Sequence, residues 1–165
     1  MAPTPKPTFE EWLAVSELAF EWAESYDSKD WTRLRSILAP TLTIDYDKVN
    51  NSKFLDLPAD RFVEMMKDPL FLGDSNIDSQ HMLGLTKWEK KSDDEIVSHS
   101  QSRAAHVRWE EGRKEVAAKG HGHGVVTTTY RKVDGEWKWA GIKTLVRWNE
   151  YEFEKVFRGA AGKFD

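Results

Sequence analysis

From His81 onward the hydrophobic pattern repeats every two residues, and it holds that period almost to the C-terminus. The spacing predicts strands over residues 81–90, 95–109, 114–131 and 136–147. They are separated by turns at Ser92-Asp93-Asp94, Glu110-Glu111-Gly112 and Val133-Asp134-Gly135, and the last two carry the glycine that hairpins favour. Strands this long bend when a helix covers one face. Gly120, Gly122 and Gly124 alternate along one of them, and three missing side chains on one face leave space for something else.

Before this run the period is helical. Thr8-Phe9-Glu10-Glu11 has the form of a capping box, and a helix should follow to about Tyr26, with Trp12, Val15, Leu18, Ala19, Trp22 and Tyr26 on one stripe. Asp27 or Ser28 can cap a second short helix that buries Trp31, Leu34, Ile37 and Leu38 and stops at Pro40. A phenol and a carboxylate therefore meet at the corner Tyr26-Asp27. Leu42 to Tyr46 reads as a strand with Leu42, Ile44 and Tyr46 on one face. Residues 58–67 read as a helix, 68–79 as a loop, and 149–157 as a closing helix with Phe153 and Phe157 on one side. Helices first and then antiparallel strands define the α+β class: a strongly curved sheet wrapped around the first helix, with a pocket between them. Residues 1–7 hold three prolines and read as a loose arm; residues 8–165 read as one domain.

Composition narrows the function. A net charge of −4 lacks the concentrated basic face that nucleic-acid binding needs. No cysteine is present, which removes disulfides, thiol catalysis and cysteine metal sites. No apolar run reaches the ~18 residues of a membrane span, and Met1 to Pro7 lacks the apolar stretch of a signal peptide, so a cytoplasmic protein is expected.

Strand parity sorts the five histidines. His106 shares a face with Ser98, Ser100, Ser102 and Ala104, a poor core face but a reasonable lining for a wet pocket, whereas His99 points the other way with Val97 and Gln101. His121 and His123 lie on one strand face, as in some zinc sites, or on a polar outer face opposite the three glycines. The spacing offers no third ligand, so no metal is expected. The ring of Tyr46 should be buried, and its hydroxyl then needs a partner.

The run Glu21-Trp22-Ala23-Glu24-Ser25-Tyr26-Asp27-Ser28-Lys29-Asp30-Trp31 resembles the first-helix signature of the scytalone dehydratases. Ala39 to Tyr46, Gln80-His81, Trp88-Glu89-Lys90, Lys119-Gly120-His121-Gly122-His123 and Arg147-Trp148 follow in the family's order, across about residues 9–157. The resemblance implies a cone-shaped α+β barrel of the nuclear transport factor 2-like kind, assembled as a homotrimer. It implies a cofactor-free dehydratase removing water from a hydroxylated dihydronaphthalenone or related polyketide to give an aromatic product. Tyr26 and Tyr46 would polarise the substrate carbonyl, His81 and His106 would handle the proton and the expelled hydroxyl, and Asp27 would hold His106. Phe153 and Phe157 match the aromatic cap on the pocket, and Met65 an apolar wall.

Where the family carries a serine and, two residues on, an asparagine facing the substrate, this chain has Gly124 and Val126. The acid–base set survives and the substrate-reading set does not, which implies a larger or less hydroxylated substrate than scytalone. A polyketide cyclase or isomerase, and a small-molecule binding module, are the alternatives that the same fold hosts.

Overall fold

The structure, a computed structural model, describes residues 5–157. Residues 1–4 of the expected arm lie outside this range. Residues 5–7 run along the sheet: the Lys90 amide donates to the Pro5 carbonyl at 3.0 Å, and Lys6 Nζ donates to the Trp88 carbonyl.

Helix α1 (Phe9–Ser28) starts at the expected capping box. Thr8 Oγ1 accepts from the Glu11 amide at 3.2 Å, while Glu11 Oε2 accepts from the Thr8 amide at 3.0 Å. The helix buries Val15, Trp22, Ser25 and Tyr26, and Lys29 ends it in a left-handed conformation. Trp12 lies at the rim, more than a third exposed, outside the buried stripe expected for it. Helix α2 (Trp31–Ile37) is capped by Asp30, whose carboxylate accepts from the Arg33 amide.

Strand β1 (Leu38–Tyr46) begins earlier than expected and contains Pro40, which falls where its register with the neighbouring strand slips and no amide is needed. A single-turn helix, α3 (Asp47–Asn50), leads to β2 (Ser52–Pro58). That strand was not expected. It lies at the sheet's edge with Leu55 facing solvent, so it lacks the alternation that marks a half-buried strand. Helix α4 (Ala59–Met66) follows Pro58 and buries Phe62, Val63, Met65 and Met66.

Four long strands complete the chain: β3 (Ile77–Ser92), β4 (Glu95–Trp109), β5 (Val116–Val133) and β6 (Glu136–Tyr151). The expected closing helix shrinks to the single turn α5 (Phe153–Val156), because Asn149, Glu150 and Tyr151 still pair with Gly122, His121 and Gly120. The sheet order is β2-β1-β6-β5-β4-β3, antiparallel except between β1 and β6, which run parallel. It curves around the N-terminal helices without closing on itself.

The core lies between this concave face and helices α1, α2 and α4. Trp139 is fully buried and stacks on Phe62 and Trp22, with Leu34, Leu42, Ile44 and Tyr130 also fully buried. Each such aliphatic side chain contributes about 1.5–3 kcal/mol. No helix among the described residues is long and apolar enough to cross a membrane.

Candidate active site

Cross-strand register explains why a cavity exists. One row of the concave face runs His81–Ala104–Gly122–Asn149 across β3, β4, β5 and β6. Beside the imidazole of His81 the row offers only a methyl group and a hydrogen, so the floor is hollow there. The resulting cavity of about 340 Å³ is lined by Trp22, Tyr26, Tyr46, Phe71, His81, His106, Val126, Phe153 and Phe157, among others.

The three alternating glycines do not all contribute to that space. A Cβ on Gly120 would lie 2.4 Å from Phe153 Cα, and one on Gly124 would lie 2.0 Å from the Leu145 carbonyl oxygen. These two glycines admit close packing of α5 and of β6 at a slip in the β5–β6 register. Only at Gly122, where the nearest atoms stand 3.5 and 3.7 Å from such a Cβ, is there room for a side chain. Gly124 thus marks a backbone constraint, and its lack of a side chain does not enlarge the pocket. Val126 is buried on the cavity wall. Met65 is buried in the core, and the next residue, Met66, supplies the apolar wall.

Asp27, at the end of α1, holds His81. The ring Nδ1 lies 2.7 Å from Oδ1, and the His81 amide donates to Oδ2 at 2.8 Å. This corrects the expectation that Asp27 would hold His106. The β3–β4 register places Ser79 opposite His106, and Ser79 Oγ lies 2.8 Å from His106 Nδ1. Ser79 falls in the stretch 68–79 that the sequence marks as loop, and only the strand register reveals its part. The two imidazoles stand 5.5 Å apart, centroid to centroid.

The phenols of Tyr26 and Tyr46 meet at 3.2 Å, both fully within the protein. Burial raises the pKa of each well above the ordinary tyrosine range, and for Tyr26 the neighbouring phenol adds to the rise, so both remain neutral donors. Tyr26 also packs edge-on against His81 at 5.3 Å. His106 is 4% exposed, and burial, with His81 beside it, pushes its pKa well below the ordinary value. Phe157 and Phe153 close over the His106 ring at 4.8 and 5.9 Å.

His99 faces the other side of β4, where its Nδ1 meets Thr127 Oγ1 at 3.1 Å. His121 and His123 share that outer face and converge with Glu150, the three side chains' ligand-type atoms lying within 4.8 Å of one another. The sequence spacing concealed this third group because it comes from β6. Arg103 already brings a cation there, 2.6 Å from His121 Nδ1. The histidine contacts, that of His123 first, hold the Glu150 carboxyl below its usual range. The cluster stands on the outer face, as parity suggested.

The family follows from comparison with known proteins: the scytalone dehydratase family model matches residues 6–164. The chain belongs to the scytalone dehydratase family. It is 52% identical to scytalone dehydratase arp1 of Aspergillus fumigatus, over 92% of this chain and 91% of that one. It is 42% identical to the scytalone dehydratase of Pyricularia oryzae, over 95% and 92%. Among solved structures, the type 2 hexachlorocyclohexane dehydrochlorinase LinA shares the scytalone dehydratase-like fold with a TM-score of 0.71 at 15% identity, covering 86% of this chain and 88% of that one.

Proposed function

We propose that the protein is a hydro-lyase that removes water from a hydroxylated cyclic ketone, a dihydronaphthalenone or related polyketide, to give an aromatised product. The observation that carries this reading is the convergence of two neutral buried phenols and two differently anchored imidazoles on one cavity.

Tyr26 and Tyr46 donate to the substrate carbonyl and stabilise the enolate that forms when the adjacent carbon loses a proton. His81 donates its Nδ1 proton to Asp27, which leaves the Nε2 lone pair free to take that proton. The carboxylate then steadies the imidazolium. His106, kept neutral by burial and accepting at Nδ1 from Ser79, turns Nε2–H toward the departing oxygen. The enolate collapses, the carbon–oxygen bond breaks, and the proton held on His81 goes to the hydroxide, releasing water and restoring His81. One C–H and one C–O bond are exchanged for a C=C bond and water, with no cofactor in the balance.

Mass spectrometry of the protein incubated with hydroxylated tetralones and dihydronaphthalenones tests this directly. A product lighter by one water is expected. A ring-closed or isomeric product of unchanged mass would instead make the protein a cyclase or isomerase.

A further inference from the structure

Thr144 sits on β6 directly opposite Val126. On its other side β1 runs parallel, with Ile44 beside Ile142 and Asp45 beside Lys143, so the next residues in that register are Tyr46 and Thr144. Both follow the buried isoleucines on the concave face, and both line the cavity. Thr144 thus lies between the carbonyl-binding phenol and the valine that stands where the family pattern has an amide.

Its hydroxyl is buried and has no hydrogen-bond partner among the described residues. A buried hydroxyl without a partner is destabilising unless something supplies one. Nearby polar groups do not: Ser100, in the same cross-strand row, is engaged with Thr86 at 2.9 Å, and Tyr46 with Tyr26 at 3.2 Å.

We infer that Thr144 is a specificity-determining residue, whose hydroxyl binds a second oxygen of the substrate on the same edge of the ring system as the carbonyl. This rests on the reading of the cavity as a cyclic-ketone site and names its substrate class more closely. The polar reader has moved from β5 to β6, so the substrate keeps an oxygen there but presents it one strand away from where an amide at 126 would reach.

The test is calorimetric titration of two non-reacting probes, 1,8-dihydroxynaphthalene and 1-naphthol, into wild type, Thr144→Val and Thr144→Ser. Valine should weaken diol binding about 5–150-fold, the range for an unpaired buried polar group. It should leave 1-naphthol unchanged, and serine should restore the preference. Equal losses for both probes, or none for the diol, would overturn the inference, and retained melting temperatures exclude misfolding as the cause. If wild type dehydrates no hydroxylated ketone, the dehydratase reading fails, while the probe preference still decides the role of Thr144.

Discussion

Asp27 grips His81 at two points, ring and backbone, so that the last turn of α1 fixes both the position of the strand and the tautomer of the imidazole. A single carboxylate therefore ties the helix to the edge strand β3 and leaves Nε2 as the ring's free base. His106 has no such anchor and relies on a neutral hydroxyl.

This asymmetry predicts unequal mutant effects. Asp27→Asn should cut turnover by at least ~10², because an amide cannot accept from both donors and no longer steadies an imidazolium. His81→Ala and His106→Ala should lose as much with little change in melting temperature. Ser79→Ala should lose less, and His99→Ala, on the outer face, should stay near wild type. Equal losses at all five positions would place the cavity elsewhere.

His106 also sets a pH dependence of stability. Its folded pKa lies below the unfolded value of about 6.5. Above that value both states are neutral and nothing is lost. As pH falls below it, the unfolded chain takes up a proton that the folded protein refuses, so stability declines until pH reaches the folded pKa. Melting curves should show this decline, and His106→Gln should flatten it. An unchanged slope in the variant would assign the decline to other groups.

Gly124 and Val126 should separate. Gly124→Ser drives a Cβ into the Leu145 carbonyl and should cost about 1–3 kcal/mol, roughly 2–12 °C in melting temperature. Val126→Asn places an amide on the cavity wall, so it should shift kcat/KM toward more hydroxylated ketones while leaving stability closer to wild type. A stable Gly124→Ser protein would show that β6 yields at that point.

The outer sheet face carries a row running Met82–Arg103–His123–Trp148, with Leu145 and Leu85 nearby. Met82, Trp148 and Leu145 are about half exposed and Leu85 more so, which suits a face shared between copies. We propose a cyclic trimer built on it. Light scattering should give three chain masses for wild type and fewer for Trp148→Glu; a monomeric wild type would refute the assembly.

Much of this was legible in the sequence where a residue's role follows from its own strand. Parity alone set His106 inward and His99 outward, and the Thr8 box set the start of α1. What failed depended on partners from other strands. Nothing local says that Ser79 lies opposite His106, that Glu150 joins His121 and His123, or that Leu145 leaves no space at Gly124. The edge strand β2 was missed because its buried residues, Ser52 and Leu57, have opposite parity across a slip in its register with β1, which erases alternation. Strand β6 was cut short because Phe153 and Phe157 mimic a helical stripe.

The parallel pairing of β1 with β6 has a consequence for how activity arises. The β3-to-β6 hairpins join neighbours in the chain and can form early, whereas Ile44 must find Ile142 across roughly a hundred residues, an entropically late event. In refolding, the circular dichroism of the hairpins should return before turnover, and simultaneous recovery would contradict this order. Tyr46 is seated only by that final closure. A copy caught part-way through folding thus holds its histidines without the second phenol, so the cavity is complete only when the whole sheet is.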